Sequence, residues 1–141
     1  SYEGLKSPVP MQWDTHYVDC HVQAGKILRY AAEAEERAIY IVKGVVEIAG
    51  VRFESGRMLV CQPGQEILVT AAEDAHVMLL GGAVMDGPRY IWWNFVASDK
   101  DMIRQAAENW QNNQFPTVPG DEEEFIPLPD KNVIERLEPA Y

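Results

Sequence analysis

Between Thr15 and Gly82 the chain is a succession of short runs rich in β-branched, aromatic and leucine residues: "HYVDCHV", "AIYIVKGVVEIAG", "RMLVCQ", "QEILVTA" and "AHVMLLGG". Each ends at a glycine or a polar turn. That spacing predicts an all-β sandwich or barrel. In "VVEIAGVRF" the turn at Gly50 is where a hairpin reverses. No internal repeat is visible. A length of 141 residues suffices for one domain with a sizeable core and is short for two.

The pattern changes at "GPRYIWWNFVASDKDMIRQAAENWQNNQF". Ser98 followed by Asp101 resembles a capping box with a carboxylate variant and predicts a helix over about 99–113. Ile103, Ala106, Ala107 and Trp110 recur at helical spacing, so one apolar stripe must be covered, with the outside of the barrel as the expected target. Prolines 116, 119, 127, 129 and 139 then predict an extended tail. The acidic run from Asp121 to Glu124 reads as a solvated face. The expected organisation is a linker-like segment over 1–12, a barrel over 13–97, a helix over 98–114 packed on the barrel or a partner, and a proline-rich acidic tail over 115–141.

Composition narrows the function classes. The chain is 47% hydrophobic and 24% charged, as a globular protein is. A formal charge of −10 with Lys and Arg scattered singly argues against direct nucleic-acid binding. No apolar run is long enough to cross a bilayer and the start does not resemble a signal peptide, which predicts a soluble, cytoplasmic protein without membrane contact. Cys20 and Cys61 stand apart without metal-ligand spacing and read as buried free thiols.

The stretch "GKILRYAAEAEERAIYIVKG", residues 25–44, resembles the glycine-bounded frame of the first cupin motif, in which two histidines and a glutamate bind a divalent ion inside the barrel. Counted from Gly25, the histidine positions fall on Ala31 and Glu33, the glutamate position on Arg37, and the frame closes on Gly44. In the second motif, "GRMLVCQPGQEI" retains Gly56, Pro63 and Gly64, with Ile67 where the last histidine would stand. One of these residues has no donor atom and one is a permanent cation, so the resemblance is to a cupin barrel without its metal site.

The histidines outside the frame leave two alternatives open. His16 shares a strand face with Val18, Cys20 and Val22, His21 lies opposite with Tyr17 and Asp19, and His76 shares its face with Met78 and Leu80. With the valine face inward, His16, Cys20 and His76 could approach as polar groups of the barrel interior and suit zinc, copper or iron. They could instead be packing or surface residues. His16 or His76 could also act as a base beside a tyrosine acid, with Tyr17, Tyr30 and Tyr40 as candidates.

The second half carries a more specific resemblance. "GPRYIWWNFVAS", the following helix and "FPTVPGDEEEFIPLP", together with "SPV" at Ser7–Val9 and "ERAIYIVKGVVEIAG", are similar to the carboxyl-terminal cupin of the pirin family. That resemblance implies a double-stranded β-helix of the RmlC-like jelly-roll type. Pirins are bicupins whose amino-terminal cupin holds iron through histidines and a glutamate, and whose carboxyl-terminal cupin lacks the ligands. The vacant frame is thus what the resemblance implies, and no iron is expected except in a partner or amino-terminal cupin.

Two functions follow as expectations. One is a metal-free structural and interaction module for an iron-binding cupin, reached through Trp92, Trp93, Phe95, Trp110 and Phe125, or self-associating where that partner is missing. In a strand Trp92 and Trp93 would face opposite ways, so both sides of "YIWWNF" would need cover, from a partner or from the chain's own helix and tail. The other is a small-molecule-binding or enzymatic cupin, quercetin 2,3-dioxygenase-like by family association.

Overall fold

A computed structural model describes residues 4–140, so residues 1–3 of the expected linker and the last residue of the tail lie outside the described part. The Cα trace divides into two compact units, one ending at Val84 and the other beginning at Met85. The expected barrel boundary at residue 97 is therefore corrected. The hairpin that follows Met85 belongs with the helix.

The first unit is built from eight strands: β1 (Thr15–Val22), β2 (Ile27–Tyr30), β3 (Glu36–Lys43), β4 (Val45–Ile48), β5 (Val51–Glu54), β6 (Met58–Val60), β7 (Ile67–Ala71) and β8 (Ala75–Gly82). Two antiparallel four-stranded sheets, in the orders β1-β8-β3-β6 and β2-β7-β4-β5, face each other across one core. Alternation decides which side of each strand is buried. In β3 the inward row is Arg37, Ile39 and Ile41, in β8 Ala75, Val77 and Leu79, and in β7 Val69 and Ala71. β2, inside the glycine frame, closes the second sheet by pairing with β7. The β4–β5 reversal falls on Ala49–Gly50 as expected, both at positive φ.

In the second unit "YIWWNF" is not one strand. β9 (Tyr90–Trp92) and β10 (Phe95–Ala97) pair as a hairpin, with Trp92 opposite Phe95 and a turn at Trp93–Asn94. Trp93 sits at φ 53°. The expectation that Trp92 and Trp93 face opposite ways fails because this turn swings Trp93 back, and both rings join one cluster. Helix α1 (Lys100–Gln111) buries Ile103 and Ala107 against Trp92 and against Ile134, which lies in a 3-10 turn, Lys131–Arg136. The tail is thus not wholly extended. Beyond the last prolines of "FIPLP", Asp130 caps this turn through Asn132 N, and Arg104 grips Glu135 through two hydrogen bonds of 2.9 and 2.8 Å.

The helix is capped by Asp99 rather than Ser98: the Asp99 carboxylate accepts from Asp101 N at 2.5 Å, while the Ser98 hydroxyl lies 4.0 Å from Met102 Sδ. Asp99→Ala is therefore expected to cost about 1 kcal/mol and Ser98→Ala only a few tenths. Urea unfolding followed by tryptophan fluorescence, which reports on this unit's rings, checks the order. Equal losses would mean that the cap is not at Asp99.

Candidate functional site

Position 37 begins the inward row of β3, where alternation calls for an apolar side chain. Arg37 is nonetheless only 3% exposed. Its guanidinium donates to four main-chain carbonyls: Ala31 O at 2.7 Å and Tyr30 O at 3.3 Å through Nη1, Gln62 O at 2.9 Å and Gln65 O at 2.7 Å through Nη2. It also lies 5.3 Å from the centroid of the Tyr30 ring. The cation thereby ties the end of β2 and the β6–β7 loop to β3. Nε is buried and has no partner among the described residues.

This set does not fit a divalent metal. Ala31 contributes only its carbonyl, which Arg37 already engages, Glu33 is exposed in the loop before β3, and Ile67 packs against the core. A fixed positive charge stands where the frame's glutamate would be, and it repels a second cation. No Arg37–Glu33 ion pair forms among the described contacts; neutral carbonyl dipoles hold the guanidinium instead.

Beside this plug a cleft of about 400 Å3 opens, lined by Asp14, His16, Ala31, Glu33 and Glu35. His16 stands opposite Gly81 in the β1–β8 register. A Cβ on Gly81 would meet the imidazole at 2.3 Å, so only glycine leaves the ring this place. Tyr30 Oη donates to Leu80 O at 2.7 Å, which commits its single proton. The 2.6 Å contact between His16 Nε2 and Tyr30 Oη therefore has the imidazole N–H as donor. Burial lowers the pKa of His16 from its ordinary value, favouring the neutral ring. With Tyr30 almost fully buried and its proton engaged on a carbonyl, the pair is arranged to hold structure more than to hand a proton to a substrate. Tyr17 and Tyr40 are exposed and do not join it.

The structure separates His16, Cys20 and His76. Cys20 packs against the core from β1, whereas His76 points outward and meets His21 and Asp19. The correction comes from β8, whose inward row is Val77 and Leu79, which turns His76, Met78 and Leu80 the other way. Cys20 and Cys61 form no disulfide with each other, and both are half-buried rather than fully buried. Desolvation raises the pKa of Cys61 despite the nearby Arg37, which keeps it protonated and a poor nucleophile.

The aromatic candidates do come together in the second unit. Trp110 lies 5.2 Å from Trp93 and 5.7 Å from Phe125 between ring centroids, stacked on the latter, and Phe95 lies 5.5 Å from Trp93. Trp110 Nε1 donates to Ile126 O at 2.9 Å, which pins the tail to the helix. Trp92 is buried, Trp93, Phe95 and Trp110 are half-buried, and Phe125 is 51% exposed. Phe115, which stacks on Phe95, is a member of this cluster that residue spacing alone did not single out.

Two facing antiparallel sheets in this strand order, with glycines framing a ligand position at one end, define a cupin. The Pirin C-terminal cupin domain matches residues 17–116, and the chain belongs to that family. A Pirin-like protein of Caulobacter vibrioides is 42% identical over 127 residues, which is 90% of this chain and 44% of that protein. Among solved structures, a quercetin 2,3-dioxygenase from Acinetobacter baumannii superposes with a TM-score of 0.75 at 27% identity, covering 92% of this chain and 45% of that one. A second Acinetobacter baumannii structure of that description gives 0.73 at 18% identity over 83% and 42%, a likeness of fold alone. The chain spans less than half the length of the curated relative it matches. Among the described residues no helix is long and apolar enough to cross a membrane.

Proposed function

We propose that this chain is the cupin of a pirin-type pair that carries no iron in its own ligand frame and serves as a structural and interaction module for an iron-holding cupin. The observation that carries the reading is Arg37, whose guanidinium is held by main-chain carbonyls at the position a metal ligand would take. Dioxygenase chemistry of the quercetin type belongs, in this reading, to the iron-holding partner. The contact surface is the aromatic cluster of the second unit, with Phe125 and Phe115 as its exposed members and Trp92, Trp93, Phe95 and Trp110 behind them. Aromatic side chains at the edge of a packed cluster suit an interface core. Without the partner the same surface supports self-association. In this reading the pair works in the cytoplasm, in keeping with two cysteines that are not paired in a disulfide.

A second reading, a small-molecule or quercetin-type enzymatic cupin, draws support from the cleft beside His16. One experiment separates them. The chain is mixed with the iron-loaded amino-terminal cupin of a pirin-type protein, and complex formation is followed by light scattering alongside quercetin consumption by each component. A one-to-one complex that Phe125→Glu weakens by roughly tenfold or more, with no turnover by this chain alone, is the expected result. Turnover by this chain given ferrous iron, or no complex at tens of micromolar, would overturn the proposal.

A further inference from the structure

The outer face of the β1–β8 ladder carries a cluster that neither the cupin frame nor the pirin resemblance accounts for. Asp19 and His21 lie two residues apart on β1 and so project from the same face. The ladder register sets His76 directly across from His21. Their imidazoles stack at 4.2 Å between centroids with planes 16° apart. His76 Nε2 lies 2.9 Å from Asp19 Oδ1, and His21 Nε2 lies 3.3 Å from the same oxygen. One ligand atom from each residue falls within 4.8 Å of the others.

We propose that Asp19, His21 and His76 bind a divalent ion of the zinc class. Zinc takes imidazole nitrogen at about 2.0–2.1 Å and carboxylate oxygen at about 2.0–2.2 Å, so two ligands on a tetrahedral ion stand about 3.3 Å apart. The nitrogen–oxygen separations already lie near that value, and because each Nε2 lone pair lies in its ring plane, the two stacked imidazoles must turn about their side-chain torsions to aim at one ion, a motion their exposed face leaves room for. Two imidazoles and one carboxylate disfavour calcium and magnesium, which take oxygen ligands, and suit zinc or a neighbouring late transition metal. Neutral imidazoles bind through the Nε2 lone pair with their one ring proton on Nδ1, so entry of the ion replaces the His76–Asp19 hydrogen bond and the His21–Asp19 approach by metal bonds, with each ring proton on Nδ1.

The surroundings permit entry. The side chains of His21 and Asp19 are 77% and 57% exposed, and the site borders a surface depression of about 610 Å3 that Lys26, Lys43 and Asp74 also line. A register shift between Ile41 and Lys43 sets Lys43 beside His76 on β3. Its ammonium opposes a cation, whereas the carboxylate of Asp74 is engaged by Ala24 N at 2.8 Å. With three protein ligands, the remaining coordination position falls to water, and the ion acts as a clip between β1 and β8. His16 lies toward the other end of β1 opposite Gly81, and Arg37 lies on the core side of β3, also paired with Gly81, so the site is separate from the frame that Arg37 fills.

The test is zinc binding by the untagged chain in competition with a chromogenic chelator, with stoichiometry read by native mass spectrometry. One zinc per chain is expected. His21→Gln, His76→Gln and Asp19→Asn should each weaken binding by roughly tenfold or more, because each removes a metal ligand rather than an outer partner. Asp74→Asn and Glu33→Gln, which remove carboxylates outside the ligand set, should leave it unchanged. X-ray absorption of the zinc complex should report two imidazoles. Circular dichroism confirms that the exposed-site variants remain folded. No stoichiometric zinc, zinc retained undiminished in His21→Gln or His76→Gln, or zinc lost equally in Glu33→Gln would overturn the site.

Discussion

Arg37→Met is expected to destabilise the chain by about 3–5 kcal/mol, a drop in melting temperature of about 10–17 °C. Methionine fills much of the space of the arginine stem but has no donor. Removing the guanidinium leaves the carbonyls of Ala31, Gln62 and Gln65 without the N–H groups they now accept, at one end of a packed barrel. An unmade hydrogen bond at a buried polar group costs about 1–3 kcal/mol, and the sites relax together, so the losses do not simply add. Nε, buried and without a partner among the described residues, already offsets part of what the guanidinium contributes. Arg37→Lys should fall between, since a single ammonium cannot span acceptors on both Nη1 and Nη2.

Arg37→Glu is the informative member of the series. It restores the residue type that metal-binding cupins are expected to carry in this frame, yet it turns a carboxylate toward carbonyl oxygens and should be the least stable of the three. Chemical denaturation followed by far-ultraviolet circular dichroism, with added ferrous iron in parallel samples, measures the series. An Arg37→Met protein within about 0.5 kcal/mol of the parent would show that the carbonyl cage does not hold the barrel end. A glutamate variant rescued by iron would show that the frame still fits a metal.

Much of this architecture was legible from the order of residues, because strand runs and turn residues report backbone geometry locally. The runs at 16–22, 67–71 and 75–82 became β1, β7 and β8, and the hairpin reversal expected at Gly50 joins β4 to β5. What could not be read was which face of β8 turns inward. Val77 and Leu79 are buried on one side, but Met78 is also buried on the other, so both parities look apolar and the sequence left open whether His76 faces the interior or the surface. Its true partner, His21, is set by cross-strand register, which no local pattern states. "YIWWNF" misled for a related reason: a two-residue reversal at Trp93–Asn94, without the glycine that usually marks one, lies inside a run of strand-forming residues. The 3-10 turn at 131–136 is too short for helical periodicity to show. Arg37 stood out as a broken motif, but not its carbonyl partners, which come from loops distant in sequence.

Gly44→Ala should cost about 3 kcal/mol or more, whereas Gly25→Ala should cost about 1, although both glycines bound the same motif. Each has positive φ, 84° and 77° respectively, so alanine is strained at either position. The difference lies in what a Cβ would meet. At Gly25 nothing stands within 4 Å, while at Gly44 it would come within 2.5 Å of Asp74 O and 2.9 Å of Ala75 Cα, both main-chain atoms at the β7–β8 turn. Backbone cannot step aside as a flexible side chain can, so the β3–β4 link or the β7–β8 turn must shift. Asparagine sharpens the test, because it tolerates the left-handed conformation but still carries a Cβ. Gly25→Asn should recover most of the loss and Gly44→Asn little of it. Equal recovery at both positions would mean that backbone conformation alone maintains the frame. The unequal result would explain why its glycines can persist where the ligands do not: one of them holds two chain reversals in contact, a task independent of any metal.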